Sequence, residues 1–206
     1  MKKAIPFFLA CATMVSLAFV KPSVVNNKQI HVVIDAGHGG IDFGATSITS
    51  TEKQIVEQIS KKIKFLNKNE NVTIHFTRND DQFVSLTDRA DFINKIKPNL
   101  VLSLHVNQSR NEVKSGMEFY VANESLVNDQ SIEIANELRT KFLQRNAVAP
   151  YEIKKAPFLI LKKSVSPAVL IELGYLSNSS DRAYLTDDKK QDQIATTILS
   201  FVADLK

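Results

Sequence analysis

The chain has 206 residues, 44% of them hydrophobic and 23% charged, with six Gly and six Pro. These proportions exclude a disordered, collagenous or repeat-built protein and imply one globular domain. A chain of this size buries roughly 70% of its unfolded surface without a metal or disulfide staple, so a bound metal would serve catalysis. Lys plus Arg number 26 against 22 Asp plus Glu. That small, dispersed excess is no nucleic-acid footprint, and no nucleic-acid partner is expected.

Lys2 and Lys3 precede an apolar run over residues 4–20, and a polar segment follows over 21–28. The layout predicts a secretory signal over 1–20, a short linker over 21–28 and the folded domain over 29–206. Ser16 and Ala18 offer the small residues of a cleavage site. Cleavage there removes Cys11, the single cysteine, and leaves no thiol nucleophile, thiolate zinc site or disulfide. Two alternatives stay open. The 17-residue run is at the lower edge of what spans a bilayer, which would make it an uncleaved membrane tether. Phe8-Leu9-Ala10-Cys11 loosely resembles a lipoprotein box. All three place the domain outside the cytoplasm, in a periplasm or at the cell surface.

The β-branched run over 29–35 predicts a buried strand. Ile55, Ile59, Ile63 and Leu66 recur at helical spacing, with Glu52 near the start where a carboxylate suits the helix dipole. A strand is expected over 72–78, and a helix through Leu86, Ala90, Ile93 and Ile96 is stopped by Pro98. Strands follow over 100–105 and 116–121, then a helix through Ile132, Ala135, Leu138 and Phe142. A last apolar strand covers 168–172, and Ile194, Ile198, Phe201 and Leu205 close the chain as a helix. Strands alternating with helices predict a single α/β domain, with a mostly parallel central sheet flanked by helices on both faces.

Open α/β sheets place ligands beyond the carboxyl ends of their strands. The first strand runs into Gly37-His38-Gly39-Gly40, the third ends on His105, and the 168–172 strand ends on Glu172. Glu52, at the mouth of the first helix, shares that rim by topology. Two imidazoles and two carboxylates fit a catalytic zinc site, in which His/His/carboxylate ligands leave a fourth position for water and the other carboxylate is a general base. His31 and His75 lie inside strands and are expected to be structural or surface residues.

These residues carry a resemblance. Residues 32–40 (VVIDAGHGG) with Asp42, Gly44 and Ala45, then Glu52-Lys53, Thr77-Arg78, the Leu86, Arg89, Ala90 and Asn94 pattern, 103–107 (SLHVN) and 167–178 (PAVLIELGYLSN) resemble the zinc-dependent N-acetylmuramoyl-L-alanine amidases of bacterial cell walls, the amidase 3 family. The resemblance implies a domain over 29–206 acting on peptidoglycan with one Zn2+. It implies His38, Glu52 and His105 as ligands and Glu172 as catalytic acid/base. Asn107, Arg78, Arg89 and Lys162 are the expected substrate contacts, the alternative for the two arginines being pairing with Asp80, Asp81 or Asp88. A monomer is expected. The sequence departs from the family pattern in three places: the 46–51 stretch lacks glycines, Ala36 replaces a proline, and Lys162 stands where arginine is frequent. Some relatives carry an inserted helix after the second histidine that plugs the site. Only about 25 residues separate His105 from the helix expected near Gln130, so an open cleft is expected here.

Residues 39–46 come within one residue of a phosphate loop, but Ala45 replaces the lysine that neutralises the phosphates, and no nucleotide is expected. No G-x-S-x-G elbow occurs. A non-catalytic wall-binding domain on the same fold is the remaining rival, since fold does not settle function.

Overall fold

The computed structural model describes residues 29–145 and 150–205. The signal, tether and linker expectations for residues 1–28 lie outside the described residues. Along the chain run β1 (Ile30–Ala36), α1 (Glu52–Leu66), β2 (Val72–Phe76), α2 (Leu86–Ile96), β3 (Leu100–Asn107) and β4 (Met117–Ala122). They are followed by α3 (Asn128–Arg145), β5 (Pro150–Ala156), α4 (Leu159–Lys163), β6 (Ala168–Tyr175), α5 (Ser179–Thr186) and α6 (Asp188–Ala203). No helix among the described residues is long and apolar enough to cross a membrane.

Six strands form one sheet in the order β2-β1-β3-β6-β4-β5. The pairs β1/β2, β1/β3, β3/β6 and β4/β5 are parallel, while β4 meets β6 antiparallel. Central strands are apolar on both faces because helices cover both sides: Val32, Val33 and Ile34 of β1 are fully buried. On one face Val32, Ile34, Leu102, Leu104, Val169 and Ile171 pack against α1, α3 and α6. The opposite face buries a smaller cluster, in which Val33, Val101, Ala168 and Leu170 meet Ala90 and Ile93 of α2 and Ile160 and Leu161 of α4. The rim of this second face carries the site.

Local chemistry sets the helix ends. The side-chain oxygen of Gln54 accepts from the Thr51 backbone N–H (3.3 Å) and hydroxyl (3.0 Å), so α1 starts at Glu52. Ser85 caps α2 by accepting from the Asp88 N–H (3.1 Å). Lys97 ends α2 in the left-handed region, just before Pro98. The glycine-poor stretch 46–51 folds back on itself. Thr46 pairs with Thr51, and the Ser50 carbonyl accepts from the Ser47 N–H (2.8 Å) and hydroxyl (3.0 Å), a serine-built turn that needs no glycine.

Three elements were not expected, and two run longer than expected. β5, α4 and α5 carry no periodic signal of their own; β5 is an edge strand, where charged residues such as Lys154 and Lys155 are ordinary. β3 and β6 run past His105 and Glu172, to Asn107 and Tyr175, so those two residues lie within strands rather than at their ends. The segment between His105 and α3 holds β4 and loops, with no helix among the described residues.

Candidate metal centre

His38 lies two residues past β1 with φ of 59°, a left-handed backbone that side chains other than glycine seldom adopt. Its surroundings hold it there. Arg89 Nη2 donates to the His38 carbonyl, Arg78 Nη2 to the Gly37 carbonyl (3.0 Å) and Lys53 Nζ to the Gly40 carbonyl (2.7 Å). Asp81 accepts from both the Gly40 N–H and Lys53 Nζ, each at 2.8 Å.

Glu52 is the first residue of α1, where the positive end of the helix dipole favours a carboxylate. Its Oε2 accepts from the Ala45 N–H (2.7 Å) and its Oε1 from the Val106 N–H (2.9 Å). The same Oε1 lies 2.8 Å from His105 Nδ1 and 3.1 Å from His38 Nε2. Two glycines admit this crowding. A Cβ on Gly37 would overlap the His105 ring, and one on Gly44, whose φ is 63°, would overlap the Glu52 carboxylate.

One donor atom from each of His38, Glu52 and His105 lies within 4.8 Å of the others, the group of described residues able to hold a metal ion. The set fits such an ion. His38 Nδ1 lies 2.8 Å from Asp42 Oδ2, a contact that leaves Nε2 free to coordinate. Two imidazole nitrogens and a carboxylate oxygen are zinc-type donors. Burial lowers the His38 pKa, but hydrogen bonds to Glu52 and Asp42 outweigh it and raise the value to about 8. Burial acts on Glu52 in the opposite sense and is again outweighed, here by His105 and His38, which hold its carboxyl well below the usual range.

Glu172 faces the same rim: it is the register partner of His105, on the adjacent strand β6. Its Oε2 is buried without a hydrogen-bond partner among the described residues, and burial pushes its carboxyl up to about 7 against the pull of His105. An unpartnered carboxyl whose pKa burial raises can serve both as proton acceptor and as donor. Beside it opens a cleft of about 440 Å³ whose lining includes Phe83, Val84, Leu86, Phe158, Leu159 and Ile160.

Arg78 is corrected, and Arg89 lines the cleft while bonding into the same loop. Arg78, with a fully buried side chain, donates to the Ala36 (2.9 Å), Gly37, Lys53 (3.1 Å) and Asp80 (2.9 Å) carbonyls and to Glu57 (3.3 Å). Those five bonds use all of its N–H groups and leave none for substrate. Arg89 pairs with Asp35 (2.8 Å) and donates to the Val84, Ala36 and His38 carbonyls. Both build the His38 loop, and neither pairs with the side chain of Asp80, Asp81 or Asp88. Asn107 turns its amide to Glu118 (3.2 Å), and Lys162 is exposed on α4. His31 and His75 sit apart from the site, Nδ1 to Nε2 at 3.1 Å. Asp35, Asp42 and Lys53 stood in the quoted motifs without a role, and Glu118 stood in none of them.

A pocketed His/Glu/His cluster able to hold a metal ion thus lies beside an unpartnered carboxylate on the rim of an α/β sheet. The pattern of the N-acetylmuramoyl-L-alanine amidase family matches residues 32–204, and the chain belongs to that family. An N-acetylmuramoyl-L-alanine amidase structure from Clostridium difficile 630 superposes with a TM-score of 0.80 at 34% identity, covering 86% of this chain and 96% of that one. The catalytic domain of CwlV, the amidase of Bacillus (Paenibacillus) polymyxa var. colistinus, gives 0.78 at 31% identity, over 85% and 97% of the two chains. The probable cell wall amidase LytH of Staphylococcus saprophyticus is 30% identical over 169 residues, 81% of this chain and 55% of LytH. The chain thus spans about half the length of the LytH relatives it matches.

Proposed function

We propose that this protein hydrolyses the amide between the lactyl group of N-acetylmuramic acid and L-alanine in peptidoglycan, with one zinc ion held by His38 Nε2, Glu52 Oε1 and His105 Nδ1. The observation that carries the reading is the convergence of those three donors beside the unpartnered Glu172 in the lining of a cleft. Zinc bound there would supply Lewis acidity toward water and toward the scissile carbonyl. Glu172 takes a proton from the attacking water and later delivers it to the leaving amine of L-alanine. The balance is one water consumed, one carboxyl and one amine formed. Asp42 fixes the His38 tautomer, and the apolar cleft walls restrict water around the scissile bond. Asn107 and Lys162 are proposed as substrate contacts. Residues 1–20 are proposed to export the domain, which then acts as a monomer on the wall.

The test is mass spectrometry of purified muropeptides after incubation with the protein. Free stem peptides beginning at L-alanine are expected, abolished by a chelator and restored by zinc. Intact muropeptides from zinc-loaded protein, or cleavage indifferent to the chelator, would overturn the reading. The open cleft predicts dye release from labelled sacculi without a second protein.

Gly37→Ala probes the ligand geometry from the backbone side. Its methyl displaces the His105 ring, so zinc affinity and activity are expected to drop roughly 10- to 100-fold, the scale of lost support around a ligand. Metal analysis and circular dichroism on the same sample check it. Unchanged zinc content would count against His105 as a ligand.

A further inference from the structure

Across the antiparallel β4/β6 pair, the residue opposite Glu172 is Glu118. Like charges facing one another on neighbouring strands repel, yet Glu118 is only 4% exposed. Four donors from four strands hold it. Its Oε1 accepts from Lys154 Nζ of β5 (2.6 Å) and the Tyr175 hydroxyl of β6 (2.8 Å). Its Oε2 accepts from the Tyr120 hydroxyl of β4 (2.6 Å) and the Asn107 amide of β3 (3.2 Å). Glu172 Oε2, on the facing residue, receives none among the described residues.

The distribution is lopsided in a way that stability alone does not explain. A buried ion pair is often replaceable by apolar residues at no cost, so burying Glu118 against Lys154 gains little by itself. What the arrangement does achieve is occupation of the donors. Lys154 carries its ammonium on a flexible stem, and a charge-assisted bond to a carboxylate is roughly twice as strong as a neutral one. Without Glu118 that ammonium loses its carboxylate partner, and the residue across the register from Glu118 is the carboxylate Glu172. A carboxylate locked to an ammonium is a poor proton acceptor.

We infer that Glu118 is a positioning residue that collects the donors around it, above all the Lys154 ammonium, and so keeps Glu172 unpaired for proton transfer. The inference rests on Glu172 acting as acid/base in the proposed reaction. Asn107 accordingly serves the site through Glu118 as well as through any contact with substrate.

The test compares zinc-loaded full-length Glu118→Gln with Glu118→Gln/Lys154→Met on a soluble muropeptide. The introduced amide oxygen can keep the bonds from Tyr120 and Asn107, its NH2 can donate to the Tyr175 hydroxyl, and the side chain no longer neutralises Lys154. For the single variant, kcat is expected to fall about tenfold or more with KM within about twofold and zinc content unchanged. Removing the ammonium in the double variant should return kcat to within about threefold of the parent, a rescue that a purely structural role for Glu118 would not give. Parent-like kcat in a folded Glu118→Gln, or a double variant as slow as the single, would overturn the inference. Should Glu118→Gln not fold, the double variant alone decides: a kcat more than about tenfold below the parent overturns it. Glu172→Gln is run alongside. If that variant is fully active, the acid/base reading fails; if it is inactive while Glu118→Gln turns over at the parent rate, only the present inference fails.

Discussion

Glu172→Gln is expected to lower turnover by at least about 100-fold while the protein keeps its fold and its metal, the loss being the scale of a general acid/base. Glutamine matches the volume and planarity of glutamate but has no basic oxygen. The three proposed ligands lie elsewhere, on the loop after β1, on α1 and on β3, so nothing in the variant withdraws a donor from the metal. Stability should hold or rise slightly. Among the described residues Glu172 Oε2 has no hydrogen bond to lose, and burial raises its carboxyl pKa because a charge there is costly. Three measurements on one preparation check this: zinc content, thermal midpoint, and turnover on a defined muropeptide. Metal and activity lost in parallel would make Glu172 a ligand. Activity retained would remove it from the chemistry.

What the sequence made legible follows from where each element is buried. Strands β1, β3 and β6 show as apolar runs because both of their faces are covered, and α1, α2 and α6 show as periodic stripes because one face packs on the sheet. The edge strand β5 has no such constraint, and Lys154 and Lys155 hide it. Helix α5 was equally silent: it is ordered by Asn178 capping its start and by buried Asp181, which accepts from the Gly116 and Tyr175 N–H groups at 2.8 Å each. In the site, His38, Glu52, His105 and Glu172 stood out because topology sends three strands and one helix mouth to a common rim. The substrate role expected of Arg78 and Arg89 rested on the resemblance alone; a left-handed loop with exposed carbonyls also needs donors, and these guanidiniums serve that need. Glu118 was invisible because its partners Lys154 and Tyr175 are 36 and 57 residues away in sequence.

The largest stability effect is expected at Asp35, the buried acid beneath the site. It is 1% exposed, and its Oδ1 accepts from Arg89 Nη1 (2.8 Å) and the Thr77 hydroxyl (2.7 Å) while its Oδ2 accepts from the Ser103 hydroxyl (2.7 Å). Burial alone would raise its pKa, but Arg89 and the two hydroxyls outweigh that cost and hold the carboxyl below its ordinary value. Asp35→Asn removes the charge and leaves the Arg89 cation, itself 2% exposed, without its counter-ion. Breaking one side of such a pair costs about 3–5 kcal/mol, which for a domain of this size lowers the thermal midpoint by roughly 6–20 °C. Because Arg89 also donates to the His38 carbonyl, the left-handed turn should loosen, and activity should fall even below the new midpoint. The pH dependence gives an independent check. A carboxyl whose folded pKa lies below its unfolded value of about 3.9 contributes stability that is fully present above that value and is lost as pH falls through the folded one. The parent should therefore lose stability below about pH 4 more steeply than Asp35→Asn, whose side chain cannot titrate, and the two urea-denaturation curves should converge toward acid. A loss under about 1 kcal/mol at pH 7, or an equal acid slope in both proteins, would show that the Asp35–Arg89 pair does not hold this rim together.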